Sequence, residues 1–159
     1  MTEVFSAGVL VYRRGAAATT EVLLGHMGGP LWVRKDASAW SIPKGQYLLG
    51  EEHPRAAARR EFTEELGLPV PDGPWVDLGD VRYGSGGKRK TVTVWGVEGD
   101  LDPAEIVPGT FELEWPPRSG RIGVFPEIDR AAWFDLDTAA DKLGKGQRPF
   151  LGRLAEYLD

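Results

Sequence analysis

A mixed β-sheet with helices packed on its faces is the α/β (α+β) architecture this sequence predicts, from three observations. Strand-like runs at residues 4–14 and 21–27 precede a helical run, more strand-like runs and two closing helical runs. The 159 residues suffice for one domain over 1–159 with a substantial buried core. With 21 glycines and 12 prolines, the chain is rich in turns without reaching low-complexity composition.

Residues 4–14, VFSAGVLVYRR, form a nearly continuous apolar run that predicts a strand, with Gly8 marking a bulge or a close packing contact. Residues 21–27, EVLLGHM, read as its hairpin partner. The turn-rich passage 26–36 places Leu31, Trp32 and Val33 in the core or at its rim. A short strand at 40–42 then runs into a glycine loop, in which Gly45 and Gly50 bracket a turn that Pro43 stiffens at its entry. Pro54 suits a first helical position, residues 55–66 are rich in Ala, Arg, Glu and Leu, and Gly67 is a natural stop. Residues 69–74 are loop by composition. WVDLGDVRY at 75–83 and KTVTVWGV at 90–97 read as strands joined by Gly84-Ser85-Gly86-Gly87, the second setting Val92 and Val94 on one face against Thr91, Thr93 and Trp95. Residues 100–119 are broken by Asp102-Pro103, Val107-Pro108-Gly109 and Trp115-Pro116-Pro117, which predicts an irregular excursion of the kind that shapes a binding site. Ala132-Trp133-Phe134 reads as a short final strand. Asp137 caps a helix through Leu143, and Pro149 opens the last one, whose stripe of Phe150, Leu151, Leu154 and Leu158 is core.

Composition excludes several function classes. The 24 acidic and 19 basic residues leave a formal net charge of −5, and the basic ones form no long run, which argues against a nucleic-acid binder. The absence of cysteine removes disulfides, thiolate nucleophiles and zinc-thiolate sites. His26 and His53 lack a ligand-pair spacing and read as incidental. No apolar run approaches the roughly 20 residues of a membrane span, and no basic leader opens the chain, so the expectation is a soluble cytoplasmic protein with no membrane partner.

The chemistry concentrates in the helix at 54–66. At 3.6 residues per turn, Glu61, Glu64 and Glu65 stand on one face while Ala58, Phe62 and Leu66 fall on the neighbouring face, where they pack against a core. Like charges at this spacing destabilise a helix by roughly 0.2–0.5 kcal/mol per pair in water, unless a cation sits among them. Clustered carboxylates suit a hard cation such as Mg²⁺ or Mn²⁺, which takes its remaining ligands from water and phosphate oxygens. Lys44 and the glycines before the helix supply a cation and an approachable backbone, so loop and helix together describe a site for a metal-bridged di- or polyphosphate.

From Gly45 through Glu52, Arg60, Glu61, Phe62, Glu64, Glu65 and Gly67 to Leu68, the pattern G-x(6)-E-x(7)-R-E-F-x-E-E-L-G-L resembles the signature of the Nudix (MutT-like) hydrolases. The family's form has five residues between the first glycine and the first glutamate; this chain has six if Glu52 is the match, and matching Glu51 instead lengthens the next interval. The opening hairpin, W-S-I-P-K-G and P-E-I-D-R-A-A-W-F are also similar to small bacterial members of the nucleoside triphosphate pyrophosphohydrolase type.

The resemblance implies an α/β/α sandwich with a mixed sheet, the acidic helix beside its mouth. It implies hydrolysis of a phosphoanhydride in a nucleoside diphosphate linked to another group, with Mg²⁺ or Mn²⁺ as cofactor and a small nucleotide as substrate. Glu61, Glu64 and Glu65 become metal ligands, with the carbonyl of Lys44 a further one. Arg60 holds a carboxylate in place, either Glu51 or Glu52 or Glu61, while Lys44 and Gly45 meet the phosphates. A glutamate outside the motif joins the metal or acts as base: Glu127 is the best match, with Glu112 and Glu114 in reserve. W-S-I-P-K-G is similar to the entry segment of enzymes acting on dinucleoside polyphosphates, including diadenosine tetraphosphate, and on nucleoside triphosphates. Trp32, Tyr47, Trp95 and Trp115 are aromatic candidates for stacking a base. A catalytically silent Nudix-like domain is the alternative, which three retained, mutually repelling glutamates oppose.

Overall fold

Strand β1 (Thr2–Arg14) sits at the centre of the sheet because its apolar run is buried on both faces. The structure, a computed structural model, describes residues 2–84 and 86–159; Ser85, expected in the turn between two strands, lies outside them. β1 pairs antiparallel with β2 (Thr20–Met27) and with β4 (Lys44–Tyr47), and parallel with β6 (Lys88–Glu98). β3 (Trp40–Ser41) and β9 (Ile128–Asp135) flank β2, and β5 (Trp75–Tyr83) flanks β6, completing a mixed seven-stranded sheet. At Gly8 an added Cβ would lie 2.6 Å from the Pro43 carbonyl oxygen, so this glycine marks close packing of β1 against the chain entering β4.

Alternation along β1 feeds two cores. Ala7, Val9 and Val11 join Leu23 and Val97 under helix α1 (Pro54–Leu66), which contributes Ala57, Ala58, Phe62 and Leu66. Leu10 and Tyr12 join Val92 and Val94 on the opposite face under α2 (Leu136–Lys142) and α3 (Pro149–Leu158), where Phe150, Leu151 and Leu154 are buried and Leu158 half-buried. Helices on both faces of one mixed sheet make the expected sandwich.

Several boundaries differ from the sequence reading. Gly45 lies inside β4 rather than in a turn, and the reversal is confined to residues 48–52, where Gly50 has φ +85°. Asp135, not Asp137, caps α2, accepting a hydrogen bond from the Thr138 N–H. The excursion at 100–119 is partly regular: a 3-10 turn at Pro103–Glu105, then β7 (Thr110–Glu114), which pairs with β8 (Ile122–Pro126) as a separate two-stranded ribbon. Its start docks on the end of α1, whose last carbonyls need partners. The Val107 N–H donates to the Leu66 carbonyl at 2.8 Å and the Gly109 N–H to the Glu64 carbonyl at 2.9 Å. Among the described residues, no helix is long and apolar enough to cross a membrane.

Candidate active site

Helix α1 is anchored at both ends. Pro54 fills its first turn, the His53 ring accepts from the Arg55 N–H, and Gly67 ends it at φ +69° with its N–H on the Thr63 carbonyl. His53 is therefore a capping residue rather than an incidental one. Burial of Phe62 and Leu66 leaves Glu61 and Glu65 leaning towards the sheet edge and Glu64 outward, with 55% of its side chain exposed.

Arg60 ties these acids to the loop. Its Nε and Nη2 donate to the two oxygens of Glu52 at 3.0 and 2.9 Å, while Nη1 donates to Glu61 at 2.7 Å and lies 3.4 Å from Glu64. The forked bond lowers the Glu52 carboxyl below its usual range and holds the guanidinium more firmly charged. Glu52, not Glu51, is thus the loop acid that Arg60 grips. The additional loop residue is absorbed before the helix, in a wide turn where the Glu51 and Glu52 N–H groups both donate to the Leu48 carbonyl.

Gly45 has a steric reason to be glycine. An added Cβ would lie 2.0 Å from the carboxyl carbon of Glu61, which therefore rests directly over the β4 backbone. The Lys44 N–H reaches Glu65 at 3.3 Å. Burial pushes the Glu65 carboxyl up to about 8, opposed by Lys44 and reinforced by Glu127 and Glu61. Burial likewise raises Glu61, against the pull of Arg60, and raises Glu127, with help from Glu61 and Glu64. The Lys44 ammonium is pushed down by burial, Glu65 and Glu61 opposing and Lys90 adding to the shift.

Glu127 reaches this group from the far side of the chain. Its N–H donates to the Gly109 carbonyl at 2.8 Å and its carbonyl accepts from the Gly28 N–H at 3.0 Å, so the excursion and the end of β2 fix its backbone. Together with Glu61 and Glu65 it lines a cavity of about 520 Å³, as do Lys44, Gly45 and Gln46. Pro30, Leu31 and Trp32 and, from β7, Phe111 and Leu113 add apolar lining to the same cavity.

Alternation along β7 sends Phe111 and Leu113 inward and Glu112 and Glu114 outward to solvent, where Glu114 accepts from the Arg118 and Gly120 N–H groups. The reserve acids are thus turned away from the cavity. Of the aromatic candidates Trp32 lines it; Tyr47 is buried under α1, Trp95 packs on Trp75 and Trp115 stands outside the lining. Phe111 and Leu113 escaped the sequence reading, although their period-two pattern in TFELE was the signal available.

A hard divalent cation fits this donor set: desolvated, mutually repelling carboxylate oxygens beside an exposed backbone strand. Among the described residues, no three acids already converge on one point. Glu61 and Glu64 are engaged by Arg60, and Glu65 by the Lys44 N–H.

Comparison with known proteins identifies the family and the fold. The family model described as the NUDIX domain matches residues 3–154. The 8-oxo-(d)GTP phosphatase of Mycolicibacterium smegmatis is 31% identical over 132 residues, which are 81% of this chain. The match takes in 31% of that relative, so the chain spans about a third of its length. Among solved structures, a Caenorhabditis elegans Ap4A hydrolase in a binary complex superposes with a TM-score of 0.66 at 22% identity, covering 98% of this chain and 97% of that one. The Nudix hydrolase RenU of M. smegmatis gives 0.60 at 25% identity, covering 96% and 84%. With the family model spanning nearly the whole sequence and the acidic helix, its arginine and its glycine in place, this chain belongs to the Nudix hydrolase family.

Proposed function

We propose that this chain is a divalent-metal-dependent pyrophosphohydrolase that cleaves a phosphoanhydride bond in a nucleoside diphosphate linked to another group. A dinucleoside polyphosphate or a nucleoside triphosphate is the substrate class that fits best. One observation carries the reading: Glu61 and Glu65 of α1 and Glu127, distant in sequence, line one cavity together with Trp32, Phe111 and other apolar side chains. Such a cavity suits a molecule with a phosphate chain at one end and a heterocycle at the other.

Mg²⁺ or Mn²⁺, when bound, would neutralise phosphate charge and acidify the attacking water. Glu61, Glu64 and Glu65, with the Lys44 carbonyl, are the residues that would hold it. Arg60 keeps these acids and Glu52 at fixed spacing, so its role is orientation of the acidic face. Glu127, raised by burial and by its acidic neighbours, suits proton transfer from the attacking water. Gly45 leaves room over β4 for the Glu61 carboxylate, and Gly45 and Lys44 line the cavity where phosphate oxygens would lie. Trp32 and Phe111 flank the space for the base. The names of the relatives suggest the first substrates to try, an oxidised guanine nucleotide and diadenosine tetraphosphate.

The test is a panel of these two with ordinary nucleoside triphosphates, in Mg²⁺ and in Mn²⁺, with products identified by mass. Metal-dependent release of a nucleoside monophosphate or diphosphate is expected. Tight binding of the panel without any turnover would replace the enzyme with a silent nucleotide-binding domain.

A further inference from the structure

His26 is fully buried on β2, at the step where the pairing of β2 with β9 shifts by one residue. His26 faces Arg130 and Met27 faces Ile128, leaving Asp129 as the extra residue of a bulge. The Asp129 carboxylate turns in to the ring, both oxygens lying 2.9 and 3.0 Å from Nδ1. The other ring nitrogen, Nε2, lies 2.6 Å from the Lys35 carbonyl, in the segment that runs back from the apolar wall at Pro30–Trp32. Trp40 packs edge-on against the ring at 5.1 Å between centroids, and its own Nε1 donates to Asp36. A single buried side chain thus joins the two segments that enclose the cavity.

The bulge lies two residues from Glu127. Glu127 sits in the bend just before β9, so a one-residue slip of β9 would displace the backbone that presents it. Glu127 and the buried Ile128 both line the cavity, and the bulge with its partner fixes the backbone that carries them. We infer that His26 is a positioning residue of the active site, holding Glu127 in line through Asp129 and holding the Trp32 wall through the Lys35 carbonyl. This rests on the catalytic reading of Glu127 given above.

The two ring nitrogens can be separated by substitution, since the asparagine amide nitrogen takes the place of Nδ1 and the glutamine amide nitrogen that of Nε2. His26→Asn keeps the Asp129 contact and releases the wall; kcat is expected within about 3-fold of wild type while KM rises about 5- to 10-fold. His26→Gln does the reverse, with KM near wild type and kcat lowered about 10-fold or more. Hydrogen exchange adds a readout independent of turnover: the Trp32 and Lys35 amides, bonded to Gly29 and Trp32, exchange faster in His26→Asn than in His26→Gln. Identical kinetic changes in both variants would overturn the inference. Asp129→Ala, at a carboxylate with 22% of its side chain exposed, serves if the buried substitutions prevent folding. Its loss of kcat should not add to that of Glu127→Gln, because the acid it aims is already gone. Additive losses would sink the positioning role while leaving the catalytic reading of Glu127 intact. A silent Glu127→Gln would instead remove that reading and the Asp129 half of the inference together.

Discussion

At Glu65, burial and neighbouring charge oppose ionisation, and only Lys44 works against them. A carboxyl whose folded pKa lies above its unfolded value binds its proton more tightly when folded. The stability it lends is complete below the unfolded value, near 4.5, and is lost as pH rises towards about 8. Metal-free protein should therefore show a melting temperature that falls between those two values, and Glu65→Gln should flatten the slope. Saturating Mg²⁺ should restore the wild-type midpoint at the upper end of this range; an unchanged midpoint would remove Glu65 from the metal site. Glu64 is held more loosely, at the rim and within reach of Arg60. Glu64→Gln is expected to lower turnover by at least ~10²-fold at saturating Mg²⁺ with the fold intact, through loss of charge stabilisation at the reacting phosphate. A rate near wild type would take it off the ligand list. His26 shows where single residues hide from sequence: nothing local to HMGG announces that its partners are Asp129 and the Lys35 carbonyl.

Among elements, α1 was readable from end to end, since Pro54, the buried Phe62 and Leu66, and Gly67 each act through local geometry. The β4 strand was not. Its pairing partner is β1, some forty positions earlier, and glycine at 45 read as a turn residue when its reason is the Glu61 carboxylate above it. Gly45→Ala should accordingly lower kcat/KM by ~10-fold or more with a small change in melting temperature, because the carboxylate must move before the fold does. Retained activity would show that Glu61 has room to spare. The loop register, open on sequence alone, turns on Arg60: its fork on Glu52 predicts that Glu52→Gln is the more damaging change to activity and stability than Glu51→Gln. The reverse order would mean that the fork is not what holds the acidic face. The β7–β8 ribbon was obscured by the prolines and glycines around it, which hid two short alternating runs whose pairing closes through Glu114.

Over the whole molecule, a mixed sheet with helices on its faces followed from element order and the sandwich from the family resemblance, while the cavity did not, because it lies between segments brought together only by the sheet. Its acidic lining comes from α1 and Glu127, beside β4, and its apolar lining from the chain after β2 and from β7. Phe111→Ala is expected to raise KM for a nucleotide about 5- to 150-fold, the equivalent of roughly 1–3 kcal/mol for a lost stacking contact, with kcat little changed. Equal loss with inorganic tripolyphosphate, which has no base to stack, would show that the residue acts elsewhere. That separation also bears on how such a protein diverges. Mutations at Pro30–Trp32 or along the ribbon's inner face can exchange one heterocycle for another while the hydrolytic apparatus is inherited unaltered. Descendants of one ancestor can then disagree about what they eat and agree entirely about how they cut it.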